Sequence, residues 1–315
     1  MIWEKLGLIF QPPCGYEWMN SHAQVPFTVK MGNVIRIFFS TRSKQDKNGQ
    51  FQSYSSYVDI DPSNNWKVLN FSKNPILDLG GVGEFDEFGI MAGSIISIND
   101  EYLLYYCGWQ RLSSVPYNWS VGLAQSNDLS KFTKRSTGPI IGPRINEPYL
   151  HACPIVYESD DTYEMYLLTG DRWIRDEKGK LESVYTLKKC TSKDGIRWSA
   201  ASKSILEPRS RDECQTSCSI FNHDGERVMI FSYRSGTGFR TNISDSYKIG
   251  MAVETEDGNW CRMDDQLQFR GREDDDWDSM MMAYPHIFSV QDEKFMLYCG
   301  NEFGKNGFGL AKLVG

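Results

Sequence analysis

Apolar runs that contain aromatic residues and end in polar clusters recur five times along the chain. They are RIFFSTR (36–42), LLYYCGW (103–109), MYLLTGD (165–171), VMIFSYR (228–234) and FMLYCGN (295–301). Equivalent positions in these runs lie 67, 62, 63 and 67 residues apart. Short apolar runs bounded by turn residues are typical of buried β-strands. The spacing therefore predicts a protein built from five similar β-units.

A second marker lies about 12 residues before each apolar run. Its copies are AQVP (23–26), MAGS (91–94), HACP (151–154), TSCS (216–219) and MAYP (282–285). Their small residues suit an inner strand that is crowded around an axis. Turn residues such as Gly32-Asn33 and Asp224-Gly225 separate the two markers, as in a β-hairpin. The two markers together predict the first two strands of each unit.

An aromatic residue after a polar turn is the third marker, and it predicts how the ring closes. It occurs at Trp66, Phe132, Trp198 and Trp260, and Trp3 precedes Trp66 by 63 residues. The N-terminal segment is therefore predicted to supply the outer strand of the last unit, which leaves no free strand edge there. We expect an all-β, five-bladed β-propeller that spans residues 1–315 as a single domain. A two-sheet sandwich is the alternative.

Composition and charge narrow the choice of partners. The 315 residues include 34 basic and 41 acidic side chains, which gives a net charge of −7. This acidic total argues against nucleic acid or an anionic membrane as the partner. The first residues form neither a signal peptide nor a membrane span, and the eight cysteines contain no CxxC pair. We therefore expect reduced thiols and a cytoplasmic location.

The blade pattern resembles the five-bladed glycosidase superfamily, which includes glycoside hydrolase families 43 and 32 and the related mannoside phosphorylases of family 130. The resemblance covers the whole chain as architecture and implies a carbohydrate-active enzyme. In the arabinanase type, a catalytic aspartate directly precedes the proline that opens a blade. Here the residues before the three blade-opening prolines are Val25, Cys153 and Tyr284. None of the three can replace a carboxylate in a two-carboxylate mechanism.

Carboxylates recur shortly before four of the five blade-opening positions. Counting back seven residues gives Met19, Glu87, Glu147, Asp212 and Asp278, and Glu213 adjoins Asp212. In a propeller these points surround one mouth of the central channel, where carboxylates can transfer protons. Glu147 and the pair Asp212 and Glu213 are the predicted general acid or base. Glu87 and Asp278 are the predicted partner carboxylates or modulators of pKa.

Arginines and aromatic residues at the ends of the second strands are predicted to reach the same mouth, because antiparallel strands place one strand's end beside the other's start. The predicted substrate-binding residues are Trp18, Asn20, His22, Arg42, Trp109, Arg111, Arg172, Arg234 and Arg240. Aromatic faces suit sugar rings, and guanidinium groups bind carboxylates or phosphates through paired hydrogen bonds. The expected partner is a small sugar, a sugar phosphate or a sugar nucleotide. Alternatively, these arginines neutralise the nearby acids in structural ion pairs.

We predict a glycosidase-like enzyme, a hydrolase or phosphorylase, that acts on a small sugar in glycan assembly or salvage, such as polysaccharide biosynthesis. The alternatives are a non-catalytic propeller that binds a glycan or sugar nucleotide, and a propeller for protein interactions. The arabinanase type often holds an axial ion, and His22, His151 and His286 are conceivable ligands here. Histidines that are satisfied by hydrogen bonds or exposed are the preferred interpretation, so no metal and no cofactor are expected.

Overall fold

The computed structural model describes residues 1–13, 15–271 and 276–315, with only the backbone of Asp276. Their regular secondary structure is nearly all β-strand, as the sequence predicts. The strand β1 (Ile2–Phe10) comes first and pairs with the last strand of the chain. The strands that follow fall into five consecutive antiparallel sets.

Sets 1 and 2 form the N-terminal part of the fold. Set 1 consists of β2 (Ser21–Met31), β3 (Val34–Arg42), β4 (Ser53–Asp61) and β5 (Lys67–Phe71). Set 2 consists of β6 (Gly89–Ile98), β7 (Glu101–Arg111), β8 (Tyr117–Ser126) and β9 (Thr133–Lys134). A single pairing of Ser53 with Gly89 joins the two sets, so they share one hydrogen-bonded sheet.

Sets 3 to 5 complete the described chain. Set 3 consists of β10 (His151–Ser159), β11 (Thr162–Arg175) and β12 (Leu181–Ser192). Set 4 consists of β13 (Cys214–His223), β14 (Glu226–Arg234), β15 (Lys248–Glu254) and β16 (Trp260–Arg262). Set 5 consists of β17 (Gln268–Arg270), β18 (Ala283–Val290), β19 (Glu293–Cys299), β20 (Phe308–Leu313) and β1. Two 3₁₀ turns (Asp264–Gln266, Asp276–Asp278) and one helical turn, α1 (Asn301–Gly304), are also present.

The N-terminal strand joins the last set, as predicted. Trp3 of β1 lies opposite Leu313 of β20, and the two strands are antiparallel. The short strand β17 pairs with the other edge of β1 in parallel, which the repeat pattern did not indicate. Hydrogen bonds do not connect all five sets into a closed ring. The number of blades therefore stays a prediction.

Side-chain packing joins neighbouring sets in cyclic order and supports that prediction. Four of the five aromatic residues of the third marker pack against a ring of the preceding set, in the pairs Trp66 with Phe295, Phe132 with Phe38, Trp198 with Tyr105 and Trp3 with Phe221. The fifth, Trp260, packs against a cluster that contains Tyr166 of set 3. One buried cluster contains both Ile37 of set 1 and Leu297 of set 5. The first and last sets are thus neighbours through their hydrophobic cores.

The blade-opening positions lie in β-bulges at the start of each set. The register shifts around Val25, Cys153 and Tyr284, and each of these residues has a positive φ of 51° to 57°. Sets 2 and 4 instead skip the single residues Gly93 and Ser217. Positive φ is unfavourable for residues other than glycine, and bulges redirect side chains. The bulges aim these residues at the space enclosed by the first strands.

Within the part of the chain that the structure describes, no helix is long and apolar enough to cross a bilayer.

Candidate functional site

A cavity of about 530 Å³ lies where the first strands of all five sets approach one another. Its lining includes Val25, Met91, Cys153, Thr216 and Tyr284, one residue from each set. We call it the inner cavity. Ligand pockets of proteins commonly have volumes of about 300 to 1,000 Å³, so this space suits a small molecule.

Three residues that line the inner cavity occupy the positions where the arabinanase type carries its aspartates. They are Val25, Cys153 and Tyr284, which the bulges turn inward. Burial raises the pKa of the Cys153 thiol and of the Tyr284 hydroxyl, so both groups are neutral near pH 7. A neutral, buried thiol is a poor nucleophile. These positions therefore present no ionised group to the cavity, unlike the aspartates that the resemblance implies.

Aromatic side chains cover much of the inner cavity. The nine that line it are Phe51, Trp109, Tyr117, Trp119, Tyr185, Phe239, Tyr247, Tyr284 and Phe303. The rings of Tyr117 and Trp119 stack with centroids 4.6 Å apart. The hydroxyl oxygens of Tyr185 and Tyr247 lie 2.6 Å apart, and both accept hydrogen bonds from Nε of Arg234. This lining offers apolar faces and fixed polar groups, as sugar-binding pockets do.

The inner cavity is strongly cationic, although the chain as a whole is acidic. Among the described residues, its lining contains one carboxylate, Glu182, and five cationic side chains: Arg42, Arg111, Lys180, Arg234 and Arg240. The whole chain has a net charge of −7. A concave surface lined by one sign of charge concentrates ligands of the opposite sign. The inner cavity therefore favours an anionic ligand.

Glu182 lies near the start of β12, opposite Ile174 at the end of β11, and only 2% of its surface is exposed. Nη1 of Arg240 donates to its Oε1 at 2.5 Å, and Nζ of Lys180 lies 2.8 Å from the same oxygen. Such charge-assisted contacts hold a carboxylate in a defined orientation. Glu182 is thus a fixed oxygen acceptor at the inner cavity.

A second cavity, of about 770 Å³, adjoins the first. We call it the outer cavity. Asn20, His22, Lys44, Glu302 and Lys305 are among its lining residues. Burial, followed by the nearby charges of Arg42 and Lys305, lowers the pKa of His22 to about 3. His22 is therefore neutral near pH 7 and can act only through hydrogen bonds.

The structure brings seven of the nine predicted binding residues to the two cavities. Arg42, Trp109, Arg111, Arg234 and Arg240 line the inner cavity, and Asn20, His22, Arg42 and Arg240 line the outer one. Trp18 packs edge-on against Tyr54. Arg172 donates to Asp212 at 2.5 Å. Neither Trp18 nor Arg172 belongs to the lining of either cavity.

The five predicted catalytic carboxylates, Glu87, Glu147, Asp212, Glu213 and Asp278, line neither cavity. Asp212 is held by Arg172, and Oε2 of Glu147 lies 3.5 Å from Nε of Arg144. Oε2 of Glu87 accepts a hydrogen bond from the backbone N–H of Gly83 at 2.9 Å. The structure therefore gives each of these three a local partner away from the cavities.

A structural reason for the recurrent acids appears in three of the sets. In each, an acid before the first strand pairs with a cation on an outer strand of the same set. The pairs are Asp86 with Lys134 (2.7 Å), Glu213 with Arg262 (2.7 Å) and Asp278 with Lys5 (2.8 Å). All three acids are buried. Buried charges require such partners. In these three sets, the acid therefore ties the segment before the first strand to the outer strand.

Sequence reasoning missed Tyr117, Lys180 and Glu182. All three lie at the start of third strands, where Tyr117 pairs with Arg111 and Glu182 pairs with Ile174. The antiparallel argument that predicted the second-strand ends applies equally to these starts. The signal was therefore present in the sequence and would have identified Glu182.

His151 and His286, two of the three histidines considered as metal ligands, have hydrogen-bond partners within the fold. No cluster of three or more His, Cys, Asp or Glu residues in the described ranges could hold a metal ion. The backbone N–H of Thr28 donates to Nε2 of His286 at 3.1 Å, which links β2 to β18. His151 is fully buried beside Thr169.

The fold is similar to those of solved glycoside hydrolases, as the resemblance implied. A thermostable family-43 glycoside hydrolase matches 97% of this chain and 93% of its own, with a TM-score of 0.62 and 16% identity. A second structure represents the GH130 family of mannoside phosphorylases, which contains glycoside hydrolases that target β-1,2 mannosidic linkages in Candida mannan. It matches 98% of this chain and 93% of its own, with a TM-score of 0.67 and 15% identity. The GH32 β-fructofuranosidase BmSUC1 of Bombyx mori matches 98% of this chain and 62% of its own, with a TM-score of 0.62 and 13% identity.

Sequence comparison gives the particular family. No protein-family model matches the chain. The chain belongs to the family of the uncharacterized proteins Rv1502 and MT1551 of Mycobacterium tuberculosis strains H37Rv and CDC 1551. It is 30% identical to each over 314 residues, which cover 99% of both chains.

Proposed function

We propose that the protein is a glycosidase-like enzyme that breaks the bond between a sugar and an anionic leaving group, such as phosphate, in the inner cavity. The observation that carries this proposal is the lining itself, with nine aromatic side chains, five cations and one carboxylate. The aromatic faces would hold the sugar ring, and the cations would hold the anion. The architecture shared with carbohydrate-processing enzymes agrees with this function.

A single carboxylate is sufficient for this reaction. Glycosidases that use two carboxylates need one of them to protonate a poor leaving group. A phosphate leaves as an anion, and Arg42 and Arg240 would stabilise the charge that develops on it. Glu182 would accept a proton from an attacking water molecule as the water oxygen bonds to the anomeric carbon. The electron pair of the broken C–O bond goes to the departing phosphate.

A non-catalytic sugar-binding protein is the second candidate. The observation that favours it is the presence of Val25, Cys153 and Tyr284 at the positions of the aspartates in the arabinanase type. The same lining would then bind the anionic sugar without converting it.

Substitution of Glu182 separates the two candidates. We would incubate the protein with the 1-phosphates of glucose, galactose, mannose and N-acetylglucosamine and measure phosphate release. Loss of a general base lowers rates by about 10²- to 10⁴-fold, so we expect Glu182→Gln to lose at least about 100-fold. The matched controls are Glu147→Gln and Asp212→Asn, which lie outside both cavities and should keep activity within about threefold.

Three outcomes would change the proposal. Full activity in Glu182→Gln, with native-like circular dichroism, would remove Glu182 as the base. Loss of activity in Glu147→Gln or Asp212→Asn would restore the carboxylates predicted from the sequence. Binding of a sugar phosphate by calorimetry, without phosphate release from any of the proteins, would establish the non-catalytic candidate.

A further inference from the structure

The inner and outer cavities share part of their lining. Five residues belong to both: Arg42, Phe51, Phe239, Arg240 and Phe303. We call them the boundary residues. Two of them are arginines and three are phenylalanines, so the boundary offers two guanidinium groups within an aromatic frame. A ligand that contacts the boundary can extend into either cavity or into both.

Arg42 is partly buried and has no carboxylate partner among the described residues. Its Nε donates to the neutral Gln24 at 3.2 Å, and its terminal amino groups have no hydrogen-bond partner among the described residues. Burial lowers the pKa of Arg42, and the charge of Arg240 lowers it further, although Tyr284 and Glu302 oppose the decrease. A buried charge without a partner is costly. The arrangement would be relieved by an anion that accepts hydrogen bonds from Arg42.

Arg240 contributes a second positive charge that is already balanced. Its Nη1 donates to Glu182, and its guanidinium lies over the ring of Phe239, with the carbon 4.2 Å from the centroid. The boundary thus carries two guanidinium groups and shares a single carboxylate. One negative charge supplied by a ligand would complete the ion pairs there.

Positive charge extends to both sides of the boundary. The inner cavity adds Arg111, Lys180 and Arg234, and the outer cavity adds Lys44 and Lys305. Both carboxylate oxygens of Glu302 accept from Lys305 at 2.9 Å, so one cation of the outer cavity is paired. A terminal carboxylate or phosphate would occupy one cavity and leave the other empty. An anion within the ligand, with an organic group on each side, would use both.

We propose that the ligand is a glycosyl phosphodiester or diphosphate diester, with its phosphate held by Arg42 and Arg240 at the boundary. The sugar would occupy the inner cavity, where Glu182 and the stacked pair of Tyr117 and Trp119 lie. The second organic group would occupy the outer cavity. This inference rests on the proposed function and narrows its substrate class to sugars linked through phosphate to another organic unit.

The volumes of the two cavities fit such a ligand. Their volumes of about 530 Å³ and 770 Å³ both lie within the range of about 300 to 1,000 Å³ that is typical of pockets for a whole small ligand. The backbone of Phe303 has a positive φ of 64°, and Glu302 before it has 52°. Strained backbone of this kind persists where it positions functional groups. Here it places Phe303 on the boundary and Glu302 in the outer cavity.

Calorimetric titration with ligands that share a sugar but differ in the group attached to its anomeric carbon tests this inference. The probes are UDP-glucose, UDP-galactose, UDP-N-acetylglucosamine and GDP-mannose, the corresponding hexose 1-phosphates, and the methyl glycosides. We expect at least one diester to bind at least tenfold more tightly than its own monoester and its own glycoside. Arg42→Gln should weaken the binding of that diester at least tenfold, and Arg42→Lys should weaken its binding less.

Arg197→Gln is the matched control, because Arg197 is 91% exposed in a turn away from both cavities. It should leave every affinity within about twofold, and thermal unfolding would show that the variants are folded. Monoesters that bind as tightly as their diesters would overturn this inference, while phosphate release from monoesters would still support the proposed function. Equal binding of diesters by wild type and Arg42→Gln would likewise overturn it.

Discussion

Single residues at the bulges show how the site departs from the enzymes it resembles. Val25, Cys153 and Tyr284 keep a positive φ although none is glycine. Such backbone conformations cost of order 1 to 3 kcal/mol each and persist when the surroundings enforce them. The surrounding structure therefore holds the backbone that presents these side chains to the inner cavity, and the presented groups are neutral. Negative charge at these positions would repel an anionic ligand, so their replacement and the cationic lining agree with each other.

His151 provides a pH-dependent prediction at the residue scale. It is fully buried, and burial, followed by the charge of Arg144, lowers its pKa from 6.5 to about 4. The unfolded chain therefore binds a proton at a higher pH than the folded chain does. Stability is complete above about pH 6.5 and is lost as the pH falls toward 4. We expect the free energy of unfolding to drop by about 2 kcal/mol between pH 7 and pH 5 from this residue.

Urea denaturation at the two pH values measures this loss. Between pH 7 and pH 5, the free energy of unfolding of His151→Gln should fall by about 2 kcal/mol less than that of the wild type, because the glutamine side chain does not titrate in this range. His223→Gln, in the hairpin turn of set 4, is the control and should keep the dependence of the wild type. An unchanged pH dependence in His151→Gln would contradict the assignment.

At the scale of the element, one large buried side chain holds the strand β1 in the last set. Trp3 is fully buried and packs in a cluster with Ile230 of set 4 and Met296 of set 5. Removing a buried tryptophan side chain costs about 3 to 5 kcal/mol, so we expect Trp3→Ala to destabilise the protein by that amount. Leu69→Ala, on the half-exposed strand β5, should change stability by less than about 0.5 kcal/mol. Urea unfolding measures both, and equal stability of the two variants would argue against closure by β1.

The sequence predicted the strands better than it predicted the direction of the acidic side chains that precede them. The apolar runs predicted the second strands, and Trp3 predicted the pairing of β1 with β20. Asp278 and Glu213 illustrate what was missed, since both precede first strands but pair with Lys5 and Arg262 on outer strands. The spacing of residues predicts where each strand lies. The direction of a carboxylate, in contrast, depends on ion pairs with strands that are distant in the sequence. The three-residue strand β17 is too short to produce a periodic signal.

At the scale of the whole molecule, two fields of opposite sign act on an anionic ligand. The chain carries a net charge of −7, which repels an anion at a distance. Among the described residues, the inner cavity carries five cations and only one carboxylate, and this excess of positive charge attracts the ligand at close range. The Debye length is about 10 Å at 0.1 M salt, so the distant repulsion is already screened at that concentration. The charges of the cavity should therefore determine how binding responds to further salt.

Salt dependence of binding tests this conclusion. We expect the Kd of a glycosyl phosphate ligand to rise about two- to fivefold between 0.1 M and 0.5 M sodium chloride, because the remaining interactions are short-range attractions. A methyl glycoside should show no change beyond about 1.5-fold, and Arg42→Gln should reduce the effect on the anionic ligand. Tighter binding of the anion at high salt would mean that repulsion by the acidic exterior dominates. In that case, the cationic lining would serve the structure of the cavity walls and not the recognition of the ligand.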